Sequence, residues 1–148
     1  MSFTNPTIEA ASVSFILTIS DLFGPPITIK GFAPEDMFDF DMIKPTEVII
    51  GVDAIASFGM VNVLIPQKVH LSPDSPSIAL FDAWYAAQVA TRSAYAASAV
   101  ISYPGLGKQL ICSGGGLTGH TIAPTAKKIL QPQEYEITWN TVVVVPLV

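Results

Sequence analysis

The densest cluster of chemically capable side chains in the sequence is acidic: Glu35, Asp36, Asp39 and Asp41 fall within seven residues. Carboxylates at such spacing could hold calcium, but an EF-hand loop needs ligands at fixed offsets, an internal Gly and a closing Glu, and that order is absent. Two of them could serve a paired-carboxylate hydrolase, a mechanism that depends on a separation no sequence fixes. The plainer reading is a solvated loop and edge strand, whose charge prevents edge-to-edge aggregation. Nucleophilic catalysis would need Ser or Cys beside a base, usually His oriented by a carboxylate. His70 lies in a strand pattern and His120 in a glycine-rich stretch. Nothing in the spacing forces them together, so each reads as a hydrogen-bonded or surface imidazole. Cys112, between Ile111 and Ser113, reads as a small buried thiol without a role. Gly114, Gly115 and Gly116 lack the Lys and the following helix of a phosphate-binding loop, which leaves a bend or mobile loop. No catalytic residue, metal or cofactor is therefore expected.

The elements that would carry these residues are mostly strands. Val13, Phe15, Leu17 and Ile19 alternate with Ser14, Thr18 and Ser20, the period of a strand with one buried face. Gly24, Pro25 and Pro26 punctuate it, and Ile27 and Ile29 start a short second strand. A long hairpin follows. Its outgoing arm runs from Phe38 to Ile50, bent at Lys44–Pro45; Gly51, Val52, Asp53 and Ala54 form the tip; and the return arm runs from Phe58 to Leu71, interrupted at Pro66. Such arms leave the sheet, and in isolation they would be poorly supported.

One helix is predicted, with Ser75 as N-cap and Pro76 at the first helical position. Its wide apolar side carries Ile78, Phe81, Tyr85 and Val89, flanked by Leu80, Trp84 and Ala87. Ala99–Tyr103 and Lys108–Cys112 flank Pro-Gly-Leu-Gly as a hairpin. A flexible stretch, SGGGLTGHTIAPTAKK, leads to a buried last strand with Tyr135, Ile137, Trp139, Thr141, Val143 and Val145 on one face. The expected fold is mainly β: a small antiparallel barrel or sandwich with one α-helix and a long extended hairpin, in a single domain over residues 1–148.

Composition bears on partners. The 148 residues suit one core, since domains commonly run to about 100–200 residues. Half of the residues are apolar and only 13% are charged, against about 25% in a typical soluble domain. A surface this short of charge, at a mean hydropathy of +0.50, exposes apolar patches of the kind that mark contacts. A bilayer span would need about 18 consecutive apolar residues, and no stretch approaches that length. The start, MSFTNPTIEAAS, lacks the pattern of a secretory signal. The net charge of −5 disfavours a grip on nucleic acid, which requires clustered Lys and Arg. A lone cysteine agrees with folding in a reducing cytoplasm.

Read together, FDFDMIKPTEVIIGVDAIASFGMVNVLIPQKVHLSPDSPSIALFDAWYAAQ and AKKILQPQEYEITWNTVVV resemble a tail tube protein of contractile-tailed bacteriophages. The shared order is an acidic strand, a hairpin with a Gly-x-Asp tip, a strand ending in Leu-Ser-Pro-Asp-Ser-Pro, a helix with Phe81 and Trp84, and a strand after Lys-Lys-Ile-Leu-Gln-Pro. It covers roughly residues 10 to 145. The resemblance implies a non-enzymatic virion subunit, made in the host cytoplasm, whose hexameric rings stack into a tube. It also implies partners: other copies of the chain, the tail sheath protein, baseplate and tail-terminator proteins, and tape-measure protein and DNA passing through the lumen without specific binding. No membrane partner is expected. Glu35, Asp36, Asp39, Asp41, Glu47 and Asp53 become candidates for the lumen or for ring-to-ring contact, and Val52, Ala54, Ile55 and Phe58 for an inter-ring hairpin. An acidic wall would let DNA slide because it repels phosphate. Secretion-system tubes and terminator or baseplate rings share the architecture and remain alternatives. So does a small β-sandwich that binds a ligand through Phe23, Trp84, Tyr103 or Trp139.

Overall fold

The computed structural model describes residues 13–34 and 36–146. Ten strands and one α-helix follow in the order β1 Ser14–Ile19, β2 Phe23–Thr28, β3 Phe38–Phe40, β4 Thr46–Ile50, β5 Ala56–Met60, β6 Ile65–Leu71, α1 Ile78–Thr91, β7 Ala97–Tyr103, β8 Lys108–His120, β9 Gln133–Trp139 and β10 Thr141–Pro146. All the pairings are antiparallel. The strands other than β4 and β5 form two layers that share β8. The first layer is ordered β2-β1-β7-β8-β10 and the second β8-β9-β6-β3, while among the described residues β4 and β5 pair only with each other.

The sharing of β8 has a local cause. Its first half, Lys108–Ser113, lies between β7 and β10, and its second half, Gly116–His120, pairs with β9. At the crossing the register with β7 shifts, and Gly114 takes φ +64, a left-handed conformation that costs glycine little. The next residue, Gly115, lies against the ring of Trp139 so closely that a Cβ would overlap it. The glycine run is thus the corner where one strand passes between two sheets, as bulged strands do in orthogonal packings. The segment expected to be a flexible loop is therefore a strand as far as His120. The period-2 signal fails there because glycines have no side chain to alternate.

Between the layers lies the core. Phe15, Ile101 and Cys112 from the first layer and Val69, Ile137 and Trp139 from the second are fully buried, together with Phe81 and Trp84 of α1. Phe81 stacks on Tyr135 with centroids 4.5 Å apart. Trp139 Nε1 donates to Gln67 Oε1 at 2.8 Å and Tyr135 Oη to Gln133 Oε1 at 2.7 Å, so these buried rings satisfy their polar ends inside the core. The fold is mainly β with one α-helix, as expected. It is sandwich-like and does not close into a barrel.

Four local expectations change. The helix begins at Ile78, not at Pro76. Ser75 Oγ accepts from Ser77 N at 3.2 Å and also donates to Lys30 O, and Ser77 Oγ accepts from Lys30 N at 2.8 Å, so the two serines tie the helix start to the chain after β2. Tyr85 and Val89 stay on the outer side of α1, 40% and 57% exposed, because Leu80, Phe81 and Trp84 form the buried stripe. The second strand covers Phe23–Thr28, since an edge strand tolerates Pro25 and Pro26. The last strand breaks at Asn140, and β10 beyond it is largely exposed. Among the described residues only β8 pairs with it, and Val143 and Val144 are 47% and 60% accessible.

Candidate assembly interface

The long hairpin is real, and it stands clear of the sandwich. Every residue of β4 and β5 is exposed. At its base Val61 N donates to Pro45 O at 2.8 Å, and Asp41 N to Pro66 O at 3.3 Å. The return arm is broken over residues 61–64, and Pro66 lies inside β6. At the tip Gly51 N donates to Ile55 O and Ala54 N to Gly51 O, with Ala54 at φ 62. Asp53 Oδ1 accepts from Ile55 N at 3.2 Å, which makes Asp53 a brace of the turn as well as a charge.

Directly opposed residues of an antiparallel pair point to the same face. The register Thr46↔Met60, Val48↔Phe58, Ile50↔Ala56 therefore puts Val48, Ile50, Ala56, Phe58 and Met60 on one side of the arm. Glu47 and Gly59, with Ile49 and Ser57, take the other. The arm is amphipathic, and its apolar side is bare: Val48 is 55% exposed, Ile50 71%, Phe58 71% and Met60 83%. An isolated two-stranded hairpin is marginal in water, and exposed apolar faces of this extent are a common feature of contact surfaces.

The acidic candidates are not gathered into one site. Glu35 lies outside the described residues. Asp36 lines a shallow cleft with Ala33, Pro34, His70, Gln131 and Pro132. Asp39, on β3, is 3.2 Å from His70 Nε2, and Glu134 is 3.8 Å from the other ring nitrogen. Asp41 stands at the base of the arm, Glu47 on its mixed face and Asp53 at its tip. The hairpin candidates Val52, Ala54, Ile55 and Phe58 are all exposed along the arm.

Both histidines sit beside carboxylates, and His120 is a half-buried residue at the end of β8, not in a loop. It stacks on Tyr85 with centroids 4.6 Å apart and planes 5° from parallel, and its Nε2 is 3.3 Å from Asp82. Burial lowers its pKa below the ordinary value, and the Asp82 charge works the other way. Burial also pushes the Cys112 thiol up to about 12, so it stays protonated at neutral pH. Among the described residues neither imidazole is hydrogen-bonded to a serine or cysteine.

One feature was legible in the sequence and missed. On the outward side of the first layer, Ile16, Val100, Ile111 and Val143 stand in one row across β1, β7, β8 and β10. The positions beside them are Ser14, Thr18, Ser98, Ser102, Gln109, Ser113, Thr141 and Val145. Among the described residues of these four strands, no charged side chain stands on this face. The signal was every second residue of each strand being uncharged, mostly Ser, Thr, Val or Ile.

The chain is similar to known proteins in sequence pattern and in fold. The family model described as tail fiber protein gp32 matches residues 6–143. No curated protein matches the sequence. A chain in the cryo-EM structure of the anti-feeding prophage baseplate, 6-fold symmetrised, superposes with a TM-score of 0.56 at 12% identity, covering 98% of this chain and 99% of that one. It shares the fold. A chain of the anti-feeding prophage cap gives 0.49 at 13% identity over 99% and 93%. A chain of an extracellular contractile injection system, from a sheath-tube complex, gives 0.48 at 13% over 89% and 88%.

Proposed function

The chain belongs to the tail fiber protein gp32 family, a family of phage-type tail components, and from that premise we propose that it is a non-enzymatic subunit of a contractile tail tube. Copies form hexameric rings, rings stack into a hollow tube inside a sheath, and the lumen conducts DNA during ejection. The observation that carries this reading is the β4–β5 arm. Two strands with a bare apolar side have no use in a monomer, and burial of each such side chain contributes about 1.5–3 kcal/mol. None of the described residues covers it, and on this reading a homopolymer supplies the cover at every copy.

Charge supports the same reading. Asp36, Asp39, Asp41, Glu47 and Asp53 are all exposed, and the net charge is −5. We assign them, with Glu35, to the lumen or to ring-to-ring contact, where carboxylates repel phosphate and keep DNA mobile. Val52, Ala54, Ile55 and Phe58 are assigned to contact with the next ring. The partners on this reading are further copies of the chain, the sheath protein, baseplate and terminator proteins, and the tape-measure protein and DNA within the lumen. The particle is the virion tail.

A one-ring adaptor is the second reading, favoured by the fold shared with a baseplate chain. Negative-stain microscopy of purified protein separates the two, because a tube subunit stacks into tubes of varied length and an adaptor stops at a ring. Deleting residues 52–58 tests the arm: soluble, folded protein without polymers is expected, and tubes formed by the truncated protein would refute the assignment.

A further inference from the structure

The uncharged face of the first layer and the apolar side of the arm are two surfaces of one chain, and among the described residues neither is covered. We propose that they are the two halves of one contact: the arm of one copy lies across the row Ile16, Val100, Ile111 and Val143 of the next copy. This deepens the assembly reading above and rests on it.

Three observations carry the pairing. The first is span. The row crosses four neighbouring strands, three spacings of about 4.8 Å, and so measures about 14 Å. Along the arm, Met60 to Ala56 is four steps of about 3.4 Å, again about 14 Å. The lengths match when the arm crosses the strands steeply, the orthogonal way of packing one sheet on another.

The second is chemistry. The row residues are partly exposed, Val100 at 37%, Ile111 at 42% and Val143 at 47%, and the facing side chains of the arm are Val48, Ile50, Phe58 and Met60. Neither surface carries an ionisable group, so contact strands no charge away from water. Glu47 points to the opposite side of the arm and stays solvated in this pose.

The third is topology. The arm strands are exposed along their whole length, so the arm does not lie on its own sheet. A contact joining two different patches of identical chains is head-to-tail, and such contacts close into rings or continue as helical filaments. One contact of this kind therefore serves either a ring or a stack without any further surface.

The test uses full-length protein. Copies carrying Val100→Cys are mixed with copies carrying Phe58→Cys under mild oxidation, and peptide mapping identifies the bridged pair. A disulfide joining the two substituted positions across copies is the expected product; absence of that bridge in assembled protein overturns the pairing. In parallel, Ile111→Lys and Phe58→Glu are each expected to abolish polymers while leaving the melting temperature close to that of the parent, since both sites are exposed. Their combination restores polymers by pairing the charges. If Ile111→Lys still polymerises while Phe58→Glu does not, this face is wrong and the assembly reading stands. If neither variant changes polymerisation, or the parent chain never polymerises, the assembly reading itself fails.

Discussion

Replacing Phe58 by alanine should separate folding from assembly. The ring is 71% exposed in the single chain, so folding gains little from it. An aromatic side chain buries about 200 Å² when fully covered, so closing the exposed share removes about 140 Å² from water. At about 25 cal/mol per Å² that is about 3.5 kcal/mol, of which the retained alanine methyl and imperfect cover leave about 2 kcal/mol as the loss. A loss of about 2 kcal/mol weakens each contact about 30-fold. Because every copy makes the contact, the critical concentration for polymer growth should rise by a similar factor. Pelleting assays across a dilution series read that concentration, and differential scanning calorimetry reads stability. Phe58→Ala is expected to shift the first strongly and the melting temperature by no more than a degree or two. Phe81→Ala is the contrasting control, since Phe81 is fully buried. It should cost about 4 kcal/mol of folding free energy and lower the melting temperature by about 10 °C. A large thermal shift for Phe58→Ala, with polymerisation unchanged, would refute the reasoning.

Three further outcomes follow from the core. The folded-state pKa of His120 is lowered, so its neutral form stabilises the fold above the unfolded value of about 6.5. That contribution is lost as pH falls through the folded value. The melting temperature should therefore drop on acidification from about pH 7.5 to about pH 5, and His120→Phe, which keeps a ring between Tyr85 and Tyr135, should flatten that part of the curve. A parallel drop in the variant would exclude His120 as the source. Gly115→Ala should destabilise by about 3 kcal/mol in chemical denaturation, because its methyl meets the buried Trp139 ring. Gly116→Ala, where a methyl meets nothing within 4 Å, should lie close to the parent; equal values for the two would contradict the corner geometry. Cys112 should resist alkylation at mildly alkaline pH in folded protein and react fully in denaturant, and rapid labelling of the native chain would show that the thiol is not buried.

Alternation made much of this fold legible. Phe15, Leu17 and Ile19 face inward as the period-2 pattern implies, and so do Tyr135, Ile137 and Trp139, because each strand has one face on a single core. Pro and Gly marked the turns for a similarly local reason. What stayed hidden depends on pairing across distance. The corner at Gly114 and Gly115 exists because Trp139 and Asn140, far along the chain, fill the space their side chains would need. Ser75 Oγ does accept from Ser77 N ahead of the helix, but it also donates to Lys30 O, a partner no local pattern announces. The acidic candidates were found as residues but not as places, since sequence order put Asp39 and Asp41 together and the fold sends one beside His70 and the other to the foot of the arm. The apolar side of the arm needed the β4–β5 register, which the sequence of the turn leaves open until the tip hydrogen bonds fix it.

The most direct measurement is the mass of purified chain by light scattering after size-exclusion chromatography, taken over a wide concentration range with micrographs of each fraction. Rings and stacked tubes, growing with concentration and absent once the arm is removed, are the predicted result. A compact, soluble particle of 15.7 kDa at every concentration and in every buffer would contradict the claim that this chain covers its arm with other copies of itself.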